Sequence, residues 1–145
     1  MRAVVQVAST AHVEVEQQIV GELSSPGLVI LLGITHDDDR DTARKVAEKI
    51  WRLRILPDET SAETASAPLL VISQFTLYGS VRKGRRPSWS DAAPGAFSEP
   101  LFEYFVSYLQ ELGAHVETGR FGAMMDVHLV NSGPMTLIVD SADLA

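Results

Sequence analysis

Residues 27–34 read GLVILLGI, eight positions without a single polar side chain. Successive strand residues face opposite sides of a sheet, so a strand that is apolar at every position is covered on both faces. The chain must therefore supply a layer on each side of a sheet. The run is too short to cross a bilayer as a helix, which takes about 20 apolar residues. HDDDRDTARKVAEKIWRLRI (36–55) follows and begins a helix. Asp39 or Asp41 is the expected N-cap, with acidic residues crowding a first turn where the helix dipole favours them. Ala43, Val46, Ala47, Ile50 and Leu53 form its apolar stripe.

AVVQVAST (3–10) and AHVEVEQQIV (11–20) alternate with period two and suggest a strand pair, Val13 and Val15 inward, Glu14 and Glu16 outward. PDETSAETASAP (57–68) reads as a loop, and LLVISQFTLYG (69–79) as the next strand. If that strand continues, Gln74 and Thr76 share one face, and Ser73 and Phe75 the other. SVRKGRRPSWSDAAPGA (80–96) is a long basic loop, and loops of such length often carry function. SEPLFEYFVSYLQELG (98–113) is a second helix with Ser98 as N-cap, Pro100 in the first turn and Gly113 past the end. Its expected buried stripe is Leu101, Phe105, Tyr108, Leu109 and Leu112. AHVETG (114–119) is a short strand, and MMDVHLV (124–130) and TLIVDS (136–141) close the chain. The expectation is an α/β fold: a single mixed domain over 1–145, order β-β-β-α-β-α-β-β-β, with a layered or barrel-like sheet and two helices.

The chain has no cysteine, which excludes a disulfide framework, a thiolate nucleophile and cysteine-ligated zinc. MRAVVQVAST lacks the layout of a signal peptide, so the expected compartment is the cytoplasm, with no membrane partner. A formal net charge of −7 argues against nonspecific coating of nucleic acid. Yet Arg82, Lys83, Arg85 and Arg86 cluster in VRKGRRPSW, and five more basic residues lie between Arg44 and Arg54. Each cluster reads either as a phosphate-binding surface or as a solvated loop or helix face.

Side chains offer no evident acid–base machine. A Ser73 or Thr76 nucleophile needs a base, and His12, His36, His115 and His128 fit no triad signature. His128 alternates with Val127 and Leu129 and belongs on a polar strand face. The HDDDRD cluster reads as a helix cap, so no metal and no cofactor are expected. Backbone amides can stabilise an oxyanion instead. Gly133-Pro134 interrupts two alternating runs, where proline removes a ladder donor and glycine leaves the strand unpacked. Either it makes a turn between strands, or it presents bare carbonyls at close range.

SQFTL (73–77) and NSGPMT (131–136) together resemble the paired signatures S-Q-F-T-L and N-x-G-P-x-T of the D-aminoacyl-tRNA deacylases. GLVILLGI with its aspartate-rich helix start, RRPSWSDAAP and TGRFGAMMDVHLVN extend the resemblance over nearly the whole chain. It implies a homodimer acting on aminoacyl-tRNA, hydrolysing the ester between a D-amino acid and the terminal ribose. It also implies that Gly133-Pro134 is cis and enters the partner's site, where its carbonyls exclude an L side chain and admit a D side chain or the hydrogen of glycyl-tRNA. Main-chain groups around Ser73, Gln74 and Phe75 would hold the carbonyl with help from the ribose 2′-hydroxyl. Thr76 would position. Asn131 and Thr136 would bind substrate. Phe121 and Met125 would pack on the terminal adenine. Arg82, Lys83, Arg85 and Arg86 are candidates for the tRNA backbone on charge alone.

The chain departs from the family at three places. Val7 stands where arginine is usual, the loop between Ile55 and Pro68 is short, and Ser132 and Met135 occupy the variable positions of N-x-G-P-x-T. Two other readings stay open on the residues. One is a noncatalytic module binding aminoacyl-tRNA or an RNA end, and the other a small-ester hydrolase using Thr76 or Ser73.

Overall fold

The computed structural model describes all residues, Met1–Ala145. Strand β1 (Arg2–Val15) is the spine of the sheet. One of its edges pairs antiparallel with β6 (Asp126–Asp140) from Arg2 to Glu14. Its other edge pairs with β3 (Gly27–Gly33) over Arg2–Ala8, then with β2 (Gln18–Glu22) over His12–Val15. Beyond β3 lie β4 (Leu69–Ser73) and β5 (Val116–Thr118), both added in parallel. The sheet curls until β2 comes against β5: an added Cβ on Gly21 would lie 2.1 Å from the Thr118 carbonyl oxygen. The result is a nearly closed, barrel-like sheet in a mixed α/β domain.

Helices α1 (Arg40–Arg52) and α3 (Gly95–Glu111) cover one face, over Ala3, Val5, Leu28, Ile30, Leu32, Leu69 and Val71. The alternate residues Val29, Leu70 and Ile72 pack with Ala8, Ala11 and Val13 inside the curl. The uniform apolarity of residues 27–34 is thus used on both faces, each fully buried aliphatic side chain contributing roughly 1.5–3 kcal/mol. The register of β1 slips beside Ser9, so the odd-numbered Ala3, Val5 and Val7 feed the helix-side core and the odd-numbered Ala11 and Val13 the inner one.

The expected element order is recovered once the two arms of β6 are counted separately, except that a third, one-turn helix is inserted between α1 and β4, and several boundaries move. The first two alternating segments are largely one strand. The hairpin turn falls at Glu16-Gln17, where both residues have positive φ (51° and 66°). Asp39 is the α1 N-cap and accepts from the Thr42 amide at 2.8 Å. Trp51 replaces Leu53 in the buried stripe, because the helix ends before Leu53. Residues 57–68 are not all loop: Ser61 caps a single turn, α2 (Ala62–Ala65), too short to show periodicity. Helix α3 starts at Gly95, capped by Pro94, not at Ser98. The amides of Phe97 and Ser98 close its first turn on the Pro94 carbonyl, leaving Pro100 inside the helix. Its ring removes the bond to Ala96, whose exposed surroundings let water replace it. Phe102 and Ser98 are buried in place of Tyr108 and Leu112.

Candidate functional site

Strand β4 stops at Ser73, and the chain curls into a 3-10 turn at Phe75–Tyr78. The Gln74 amide donates to the Leu32 carbonyl at 2.8 Å, extending the β3 ladder by one bond before the turn begins. Leu77 then donates to Gln74, and Gly79 to Thr76. Gln74 and Thr76 are therefore not neighbours on a strand face. They meet across the turn, the Gln74 side-chain amide donating to the Thr76 hydroxyl. The first amides of such a turn, those of Phe75 and Thr76, have no acceptor within it. They are free to serve a negatively charged oxygen.

Arg2 fixes this turn to the sheet. Its Nη1 donates to the Leu77 carbonyl at 2.9 Å, its Nε to Asp140 at 2.7 Å, and its guanidinium lies 4.7 Å from the centre of the Tyr78 ring. Burial opposes ionisation of Asp140, but the Ala142 amide and Arg2 outweigh it and hold the carboxyl below the usual carboxylate value.

Against the turn lies a cleft of about 700 Å³. Ser73, Gln74, Phe75 and Thr76 line it, and so do Phe121 and Met125, so six of the residues singled out in the sequence come together. Trp89 and Ser98 also line it and were missed. Trp89 meets Phe75 edge-on at 5.4 Å, and its place in RRPSWSDAAP, beside the basic cluster and within the stretch that resembles the family, was the sequence signal for it. No Asp, Glu, His, Lys or Arg lines the cleft. The histidines are elsewhere: His36 bonds the Ser90 carbonyl, His115 lies by Glu117, and His12 stacks on His128.

The other named residues do not line it. Thr136 pairs with Gln6 and Asn131 with Ala8, so Ser132, Gly133, Pro134 and Met135 bulge out opposite Val7 alone. The Gly133-Pro134 bond is cis, and both residues are exposed. Gly133 has φ +118°, a conformation that L residues rarely adopt. The Asn131 side-chain amide closes the bulge, donating to the Val7 and Met135 carbonyls at 2.9 Å each. Thr136 accepts from Gln6 at 3.2 Å. Val7 is buried in the helix-side core. Arg82, Lys83, Arg85 and Arg86 are all exposed, and Arg82 reaches a shallow shelf shared with Arg2, Tyr78 and Ser80.

Residues 4–140 match the family model described as D-Tyr-tRNA(Tyr) deacylase. The chain is 62% identical over 143 residues to a D-aminoacyl-tRNA deacylase of Cutibacterium acnes, covering 99% of each. It is 58% identical over 144 residues to one of Kocuria rhizophila, covering 99% of this chain and 96% of the relative. Among solved structures, it is similar to one titled c-Myc DNA Unwinding Element Binding Protein, with TM-score 0.88, 32% identity and coverage of 97% and 98%. A probable eukaryotic D-amino acid tRNA deacylase, at 16% identity and TM-score 0.84 over 95% of this chain and 97% of that one, shares the fold.

Proposed function

The chain belongs to the D-Tyr-tRNA(Tyr) deacylase family and is a D-aminoacyl-tRNA deacylase, a hydrolase, and we propose that it selects its substrate through Gly133-Pro134 supplied by a second subunit. The observation that carries this reading is the separation of the two motifs. The turn at Phe75–Tyr78 opens on the cleft, whereas the Gly-Pro bulge projects from another part of the surface and lines no part of it. The same strand exposes Val130 (56%) and Ile138 (71%), an apolar edge suited to a partner. In a homodimer each bulge would then wall the other subunit's cleft. Its carbonyls exclude an L side chain and leave room for a D side chain or for glycine, a selection by clash.

The absence of an ionisable side chain in the cleft supports a reaction with no protein base. Water adds to the ester carbonyl, the Phe75 and Thr76 amides hold the resulting oxyanion, and the C–O bond to the ribose breaks, assisted by the neighbouring 2′-hydroxyl. The leaving ribose oxygen takes the proton. Phe121 and Met125 give the terminal adenine an apolar platform, and Arg82, Lys83, Arg85 and Arg86 meet tRNA phosphates. Aminoacyl-tRNA is used in the cytoplasm, which makes that the expected site of action.

The test is release of amino acid from D-tyrosyl-tRNA, L-tyrosyl-tRNA and glycyl-tRNA. Loss of the D- and glycyl-esters with the L-ester intact is the expected result, whereas equal loss of all three would refute selection by clash. Thr76→Ala separates positioning from nucleophilic attack. Removing a true nucleophile costs on the order of 10⁶ in rate. The geometry here predicts a loss within about tenfold, since Thr76 has Gln74 as a donor and no base beside it. Single-turnover rates on D-tyrosyl-tRNA decide between them.

A further inference from the structure

On the side of β1 and β6 turned away from the inner core, three side chains with metal-binding atoms converge. His12 and Glu14 are two residues apart on β1 and so point the same way, while Val13 between them is fully buried. His128 stands directly opposite His12 on β6. Its neighbour Val127 lines the cleft, so the imidazole points to the other side of the strand. The two rings stack, with centroids 4.3 Å apart and planes within 10°. One carboxylate serves both: His12 Nε2 lies 3.1 Å from Glu14 Oε1, and His128 Nε2 lies 3.6 Å from Glu14 Oε2.

These separations have a chemical meaning. A tetrahedral zinc ion with nitrogen and oxygen ligands at 2.0–2.2 Å holds neighbouring donor atoms roughly 3.3–3.6 Å apart. The His128–Glu14 distance of 3.6 Å falls in that span and the His12–Glu14 distance of 3.1 Å lies just below it, and one donor atom from each of the three residues lies within 4.8 Å of the others. All three side chains are partly exposed, so the rings have room to splay from their stack and point both lone pairs at one ion. The surrounding field is acidic. Glu22 is the cross-strand partner of His12 on β2, and Asp126 that of Glu14 on β6. Glu14 is paired with no lysine or arginine.

We propose that His12, Glu14 and His128 form a site for a divalent transition-metal ion of the zinc type, water completing the shell, that clips β1 to β6. Two imidazoles and one carboxylate suit zinc and its neighbours, not magnesium or calcium, which take oxygen ligands. The clip lies on the strand that carries both the cleft-lining Val127 and the Gly-Pro bulge. Its role is structural, and it stands independently of how the ester is cleaved.

The test is calorimetric titration of the metal-stripped full chain with zinc chloride, with magnesium chloride as comparison. Saturable uptake of one zinc per chain is expected, with no uptake of magnesium and a zinc-dependent rise in melting temperature. His128→Ala and Glu14→Gln, both at partly exposed positions, should each weaken zinc binding at least tenfold. His115→Ala, which removes an exposed histidine elsewhere, should bind as the parent does. Acidification should release the metal, because coordination needs neutral imidazole. Absence of saturable zinc binding overturns the proposal, and so does binding unchanged in His128→Ala and Glu14→Gln. Loss in His115→Ala equal to that in His128→Ala would also overturn it, by locating the metal elsewhere. Circular dichroism of each variant separates loss of ligand from loss of fold.

Discussion

Exchange of Pro134 for alanine is expected to raise hydrolysis of L-tyrosyl-tRNA at least tenfold while hydrolysis of the D-ester changes by less than about threefold. Tenfold corresponds to about 1.4 kcal/mol off the barrier for the wrong enantiomer, a modest relief for a rejection built from steric contact. The D-ester is spared because the turn at Phe75–Tyr78 and the facing Phe121 and Met125 are untouched. Pro134 contributes by fixing its own backbone angle at the bulge apex, so alanine gives the neighbouring carbonyls freedom to move aside. Gly133→Ala tests the same wall from its other residue. At φ +118° a new Cβ would lie 2.8 Å from the Met135 amide nitrogen, so the bulge must rearrange, at a cost of roughly 1–3 kcal/mol. Discrimination should fall in this variant too. The measurement is parallel release from the D- and L-esters by each variant. An L-ester that stays inert with the D-rate preserved in both would mean that the bulge is not the filter.

What could be read from the sequence depended on the range of the interaction that decides each feature. Strand β3 was legible because burial on both faces leaves a mark at every residue, and the start of α1 because Asp39 caps it three residues away. The end of β4 was not. Phe, Thr and Leu all suit a strand, and the chain turns instead where the distant Leu32 carbonyl takes the Gln74 amide. The hairpin turn at Glu16-Gln17 lacks the glycine or asparagine that normally announces positive φ. Gly133-Pro134 reads as a break between strands. In space it is an excursion within one strand, because β1 pairs on both sides of it and Asn131 ties its base together. The two motifs likewise name residues without saying that they occupy separate surfaces of one chain. The stacked His12 and His128, 116 positions apart, become neighbours only through the β1–β6 register.

Closure of the barrel supplies the largest expected effect on stability. β2 and β5 are the two ends of the sheet path β2-β1-β3-β4-β5, and they meet where Gly21 faces the Thr118 carbonyl. A Cβ at Gly21 would lie 2.1 Å from that oxygen and 3.0 Å from its carbon, with the Leu70 side chain at 3.3 Å. Nonbonded contacts between heavy atoms find their minimum near 3.5–4.0 Å, and the nearest atoms here are backbone, which cannot rotate away. The edges must part by about 1 Å, opening the inner core over Leu70 and Ile72. Gly21→Ala is therefore expected to cost about 3 kcal/mol, the upper part of the range for overpacking. Gly95→Ala is the matched control: its Cβ would meet only Phe121 at 3.8 Å, an ordinary contact, and alanine suits a helix better than glycine. Urea denaturation of the two variants beside the parent measures the difference. A lowered midpoint with an unchanged slope in Gly21→Ala, against a midpoint at or above the parent's in Gly95→Ala, is the result that a closed sheet requires. Equal midpoints would mean that β2 and β5 stand apart in solution, and the cleft wall carried by the segment between β5 and β6 would then lose the support that closure gives it.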